Sequence, residues 1–474
     1  MHRLVAILTL LLINSTKVLS LNEQEVNCVN VESRHCELHQ VNIQNNSTKI
    51  RILDENLGKI EKISFENSTI LIFPKEFLTQ TPNLSNLEME NVQLTEIPDF
   101  SFQNASKLEI MDLEFNELTE IGENTFDGAK KMIKLYLGNN KIRKISPKAF
   151  EDVANLEVLF LEKNDLEVID ARTFASLKKL MHLVLTDNDI KYVATRAFVN
   201  LPNLYEIHLD NNEMESLELH IDRKLDLVDV SGNKLTSLNL KSINPKAKIH
   251  TIKASDNELS SLNVNSSLEV KEIYLTDNEF KNFKSFALQK NLSRLIIREN
   301  SFENLQGIEK LKNLEHLDIG NNNITFEKGV FKPLQNLERL VLSNMSMKNF
   351  DLSWFGVLDE LSSLDLGENQ LKELDYKELK TNFPELERIT ISENQFGCDY
   401  LEEMFEFLTK EANITVMDVD DKFRIKHVHK IECIEEDDET SLLSIILFVI
   451  GGVAVLGVIG YFVWKTCKKS DEDE

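Results

Sequence analysis

The chain has 474 residues, 42% of them hydrophobic and 28% charged, with a formal net charge of −26. Such acidity argues against nucleic acid as a partner, because holding phosphate needs Lys and Arg. It permits a basic partner or calcium, and equally a self-repelling, soluble surface. Residues 1–20 read as a secretory signal peptide: Arg3, an apolar run from Leu4 to Ile13 too short to span a bilayer, and small residues up to Ser20. The leader carries +2 and the last ten residues −1, which leaves −27 for residues 21–464.

Residues 21–59 form an N-terminal cap containing Cys28 and Cys36. From Ile60 to Phe396 one apolar frame, L-x-x-L-x-L-x-x-N-x-L, recurs every 21 to 25 residues. Its first positions are Ile60, Leu84, Leu108, Met132, Leu156, Leu180, Leu204, Leu225, Ile249, Val270, Leu292, Leu314, Leu337, Leu361 and Leu386. A turn of this length cannot bury its apolar edge alone, so the turns must stack. The spacing matches the leucine-rich repeat and predicts an α/β solenoid spanning 60–397, with a curved parallel sheet. Fifteen strands about 4.8 Å apart would give an inner arc of roughly 70 Å.

The ninth position is Asn in twelve of the fifteen blocks, from Asn116 to Asn394; the exceptions are Ser68, Val92 and Met345. An amide both donates and accepts, so a buried row of asparagines is tolerable. Blocks starting at 84, 108, 132, 156 and 180 carry Phe102, Phe126, Phe150, Phe174 and Phe198 at one offset, which predicts a stacked aromatic spine. From Leu204 that row stops and several blocks shorten, so a bend or change of twist is expected near residues 213–248.

The third, fifth and seventh positions face outward along the concave side. They place Ile110, Tyr136, Val158, Phe160, His182, Val184 and His208 on one patch. Large apolar groups facing solvent there are candidate ligand anchors, while strand propensity accounts for the same residue types. The two histidines could tune binding between pH 5 and 7, or be ordinary surface residues. Beyond the leader, which holds one at Asn14, ten Asn-x-Ser/Thr sequons mark expected glycosylation sites: Asn45, Asn46, Asn67, Asn83, Asn104, Asn265, Asn291, Asn323, Asn344 and Asn413. None lies between Asn104 and Asn265, which leaves the patch open. Neither a catalytic constellation nor a phosphate loop nor a spaced metal-ligand set is present, so neither an enzyme nor a cofactor is expected. His427 and His429 make an H-x-H with no third ligand nearby, too little for a metal site.

Residues 398–433 form a C-terminal cap containing Cys398 and Cys433. In a secreted chain the four cysteines are expected to form two disulfides, one inside each cap; a Cys28–Cys433 link would have to bridge the whole arc. Residues 434–441 read as an acidic stalk. Leu442–Trp464 carries no charge over 23 residues, long enough for a transmembrane helix. Lys465, Lys468 and Lys469 after it set the N-terminus outside the cell, with residues 465–474 as a cytoplasmic tail. Gly451, Ala454, Gly457 and Gly460 would permit close helix approach and hence a dimer. Cys467, beside the membrane in basic surroundings, suits palmitoylation or a plain thiol.

The segment Asn394-Gln-Phe-Gly-Cys398-Asp-Tyr-Leu401 and the shortened middle blocks ending in Ser-Leu-x-Leu resemble the mosquito leucine-rich immune proteins, in their membrane-anchored subclass. No heptad coiled coil follows the cap, and each cap has two cysteines where many extracellular relatives have four. The resemblance implies a type I plasma-membrane receptor or co-receptor that recognises pathogen-related or other protein ligands in innate immunity. The alternative that it leaves open is a cell–cell adhesion or guidance molecule of developing tissue.

Overall fold

Positions three to five of every block become a three-residue strand or the core of a longer one, as alternation of buried and outward residues dictates. The computed structural model describes residues 23–29, 34–45, 48–417, 427–428 and 431–433. They fall in two compact units, Met1–Val341 with Ser353–Glu360, and Leu342–Leu352 with Leu361–Glu474.

In the first unit each strand pairs in parallel with the strand of the preceding and the following block. The ladder runs from Lys62–Glu66 through Asn86–Glu88, Ile110–Asp112 and their successors to Arg339–Val341. The N-terminal cap extends it: His35–His39 pairs in parallel with Lys62–Glu66, and antiparallel with Cys28–Val29 on its other edge. The Cys28–Cys36 disulfide ties that edge, with the two Cα atoms 4.9 Å apart. Burial follows the frame. In the block starting at Leu156, Leu156, Leu159 and Leu161 are wholly buried and Leu166 nearly so. Truncating one such leucine to Ala costs about 2–5 kcal/mol.

The asparagine row is a continuous ladder. Asn140 Nδ2 donates to the carbonyls of Leu113, Leu137 and Gly138, at 2.9, 3.1 and 3.1 Å, and its Oδ1 accepts from Leu118 N at 3.0 Å. Each amide thus closes its own turn and the turn before it. Val92 lacks the amide, and the following turn supplies it: Asn116 Oδ1 accepts from both Val92 N and Leu94 N. Ser68 fills its slot with a hydroxyl that accepts from Val41 N and donates to Glu66 O.

The eighth position adds a feature that the frame leaves unspecified. In all fifteen blocks it is left-handed, with φ between 49° and 64°, from Asn67 through Gly232 to Glu393. Its N–H reaches the next turn, as Asn139 N does to Glu162 O at 2.9 Å. Asn, Asp and Gly accept this conformation most readily.

The other side of the first unit contains turns and short 3₁₀ segments. The α-helical share is therefore smaller than an α/β class implies, because a 21- to 25-residue turn that spends half its length on strand and Asn loop has little left for a helix. Phe102, Phe126, Phe150 and Phe174 stack as expected, with centroids 5.9–6.1 Å apart, and Phe198 is buried at the end of the row. Where that row stops, a second parallel sheet takes over: Ser216–Ile221, Ser237–Ser242 and Leu262–Val264. The segments Ser216-Leu-Glu-Leu, Ser237-Leu-Asn-Leu and Leu262-Asn-Val form these strands; the turns starting at Leu204 and Ile249 have 21 residues, while the one starting at Leu225 keeps 24.

In the second unit Ser363–Asp365, Arg388–Thr390 and Thr415–Met417 pair in parallel. Met345, the third exception in the Asn row, is served by Asn369, whose Oδ1 accepts from Met345 N and Met347 N. The helix Cys398–Glu406 closes this unit. Its Tyr400 hydroxyl donates to Leu374 O at 2.6 Å and accepts from Leu374 N at 2.8 Å. Cys398 is bonded to Cys433, so both expected disulfides are present. Among the described residues no helix is long and apolar enough to cross a membrane. The leader, the acidic stalk, the segment 442–464, the tail with Cys467, Asn46 and His429 lie outside the described residues.

Candidate binding face

The strand ladder of the first unit aligns its outward residues into rows. One row reads Asp112, Tyr136, Phe160, Val184, His208, Asp229, Lys253 and Tyr274, each the register partner of the next. The adjacent row reads Ile110, Lys134, Val158, His182 and Glu206. All seven patch residues therefore lie on one face, as their positions in the frame require. Tyr136 and Phe160 meet edge to face, with centroids 5.4 Å apart and planes at 81°. Ile110, Tyr136, Val158, Phe160 and Val184 are half-buried among themselves and His182 is exposed. His208 Nε2 lies 3.1 Å from Glu206 Oε2.

Carboxylates border the aromatic pair. Glu88 pairs with Lys62 at 2.7 Å. Asp112 Oδ1 accepts from Glu114 N at 3.0 Å. Glu114 and Glu162 close over Gly138 from the two neighbouring turns: a Cβ built on Gly138 would meet Glu114 Oε1 at 2.8 Å and Glu162 Oε1 at 2.9 Å. Glycine is needed here for close approach, since any side chain would push the two carboxylates apart. Glu162 Oε2 is buried and has no hydrogen-bond partner. Burial first, and then Asp112, Glu162 and Glu90, push the Glu114 carboxyl up to about 7. Asp112 is raised as well, chiefly by burial, against the lowering from its bond to Glu114 N.

Further along, His208, Asp210 and Asp229 bring one ligand atom each within 4.8 Å of one another. This trio was not legible as a metal-ligand set in the sequence, because its members come from adjacent turns. Its members are already engaged. Asp210 Oδ1 accepts from Thr186 Oγ1 at 2.9 Å, Asp229 Oδ1 accepts from Ser231 N at 3.1 Å, and Lys253 Nζ stands 3.7 Å from Asp229. Lys253 thus stands near one of the two carboxylates, and Thr186 and Ser231 supply hydrogen bonds to the pair.

Sequence reasoning missed Phe115. It occupies the left-handed eighth position at φ 55° and is 50% exposed, at the strand edge beside Glu114. A bulky apolar residue in that conformation is strained by roughly 1–2 kcal/mol with nothing gained from burial. The signal was available: Phe115 is the one apolar residue among the fifteen eighth positions. Of the sequon asparagines described, Asn83 is half-buried, while Asn45, Asn67, Asn104, Asn265, Asn291, Asn323, Asn344 and Asn413 are exposed.

Comparison with known proteins agrees with this architecture. The "Leucine rich repeat" family profile matches at residues 82–132, 106–166 and 154–214, and the "BspA type Leucine rich repeat region" profile at 271–405. The chain is thus a leucine-rich repeat protein. A search of curated protein sequences finds no match. Among solved structures, the mosquito LRIM1/APL1C complex is similar at TM-score 0.59 and 21% identity, over 95% of this chain and 78% of that one. The APL1 leucine-rich repeat domain is similar at TM-score 0.60 and 20% identity, over 87% of this chain and all of that one. The Toll–Spatzle complex of Drosophila is similar at 0.55 and 17%, over 79% and 61%. At these identities the likeness is one of fold, and it extends to insect immune proteins of this architecture.

Proposed function

We propose that this protein is a single-pass cell-surface recognition receptor or co-receptor that binds a protein ligand in innate immunity. Its ligand docks on the strand face centred on Tyr136 and Phe160. The observation that carries this reading is the Tyr136–Phe160 pair itself: an aromatic couple on the outward side of a ladder, held half-buried only by its own neighbours. Rigid aromatic anchors of this kind concentrate binding energy. The sequon-free interval from Asn104 to Asn265 keeps glycan away from it. Structural neighbours that act in protein complexes, LRIM1/APL1C and Toll–Spatzle, support the class of activity. In this reading the segment 442–464 anchors the chain, the N-terminus is extracellular, and any signal passes through a partner.

The test displays the full-length chain on cells and captures bound protein by proximity labelling. Tyr136→Glu with Phe160→Glu is expected to abolish capture, while surface staining of an N-terminal tag on intact cells stays at the wild-type level. Undiminished capture by that variant sinks the proposed face, and a tag that stains only after permeabilisation sinks the topology. Clustering of transfected cells without captured ligand would favour adhesion.

A further inference from the structure

Of the acids around the aromatic pair, Glu88 is paired with Lys62, whereas among the described residues Glu114 and Glu162 have no counter-charge. Lys253, Arg294 and Arg298 lie near Asp229, Glu272 and Asp318, at 3.7, 3.8 and 3.5 Å. Among the described residues no cation pairs with Glu114 or Glu162, although both close over Gly138 and one oxygen of Glu162 is buried without a partner. Glu90 and Asp112 add further negative charge from the neighbouring turn and the same strand. Two carboxylates close over a buried glycine, two aromatic rings stand in the adjacent row, and Phe115 projects at the edge.

We propose that this site receives an arginine side chain from a basic segment of the protein ligand, its guanidinium bridging the Glu114 and Glu162 carboxylates that close over Gly138 and lying against the Tyr136–Phe160 pair. The proposal rests on the reading that this face binds a protein and adds the chemistry of the partner. A planar fork of five donors can bridge two carboxylates on opposite sides while stacking on a ring; an ammonium offers one point of charge and no plane. The guanidinium meets Glu162 Oε1, the oxygen that faces Gly138, while the buried Oε2, which has no partner, leaves the charge of that carboxylate uncompensated without it. The groups facing Glu114 from its own strand and the packed turns are Asp112, Glu90 and Glu162, all acidic, so a bound cation relieves their repulsion and holds Glu114 ionised. Binding therefore weakens as pH falls below 7.

Purified full-length chain in detergent is titrated into fluorescent peptides of alternating arginine and leucine, or lysine and leucine, followed by anisotropy. The arginine peptide is expected to bind at least tenfold more tightly than the lysine peptide at pH 7.5. Glu114→Gln with Glu162→Gln removes that preference and weakens arginine-peptide binding at least tenfold. Glu299→Gln with Glu303→Gln, two exposed acids elsewhere, removes the same charge without effect. Lowering the pH to 5.5 weakens the wild type several-fold and leaves the Glu114/Glu162 variant unchanged. Equal affinity for the two peptides, or equal loss in both acid variants, overturns the proposal, as does displacement of the peptide by millimolar calcium, which would make this a cation site. If partner capture by cells still requires Tyr136 and Phe160 while these carboxylates prove indifferent, the arginine proposal fails and the binding face stands.

Discussion

Two stretches of the same strand ladder, residues 86–208 and 251–341, share one backbone and carry opposite chemistry. The first sets Tyr136, Phe160, Ile110 and Val184 among carboxylates such as Glu114 and Glu162 that lack cations. The second places Arg294, His316 and Arg339 side by side in one row, with Arg294 near Glu272 and Arg298 near Asp318. Inward positions are identical in kind in both stretches, because stacking tolerates little else. Outward positions are free of that demand, so their charge can differ from turn to turn. The chain as a whole is acidic, yet acidity alone would have left both stretches alike.

The largest expected effect comes from breaking what the two stretches share. Asn164→Leu removes an amide whose Nδ2 donates to the carbonyls of Leu137, Leu161 and Glu162 and whose Oδ1 accepts from Ile142 N. Leaving buried groups unpaired costs about 1–3 kcal/mol each before relaxation and water entry, so a net loss of about 2–4 kcal/mol is expected. A melting temperature that stays within a degree of wild type would contradict the ladder.

A sharper contrast is in pH dependence, where the two stretches have opposite signs. Glu114 is raised from 4.5 to about 7, so between those values the folded protein holds the proton more tightly than the unfolded chain, and stability falls as pH rises. His316 is pushed down from 6.5 to about 4, by burial first and then by Arg294 and Arg339. Between pH 4 and 6.5 the unfolded chain binds that proton better, and stability rises with pH. Melting temperature followed from pH 4 to 8 should lose its falling component in Glu114→Gln and its rising component in His316→Gln. Identical profiles for the two variants would show that neither group titrates as its surroundings dictate.

The smallest effect belongs to Gly138→Ala. The new methyl meets the ends of two flexible side chains rather than backbone, so stability should change by less than about 1 kcal/mol. The Glu114 carboxyl should move back toward its ordinary value as Glu162 is displaced, which NMR titration of the labelled carboxyl reads directly. An unchanged titration means that the two acids do not confront each other over the glycine.

Much of this was legible beforehand, for reasons that lie in the repeat. A period fixed by Leu135, Leu137 and Asn140 and their equivalents gave strand positions, register and the outward rows, since stacking allows one answer. Both disulfides followed from the two pairs of cysteines that flank the repeats. What escaped was whatever depends on neighbours from different turns. The Glu114–Glu162 convergence, the His208–Asp210–Asp229 network and the second sheet at residues 216–264 each need the stack assembled before they exist. Phe115 escaped for another reason: the frame leaves its eighth position blank, although the backbone constrains it in every block.

Because each asparagine amide reaches back by one turn, the ladder admits change only in whole units. Deleting Met132–Asn155 would fuse two intact frames, bring Asp112 beside Phe160, and remove Tyr136, Gly138 and Asn140 together. The resulting protein should keep a continuous amide row and be shorter by about 4.8 Å along the stack. A contact surface in this architecture is thus added or removed by the whole turn, together with the amide that closes it.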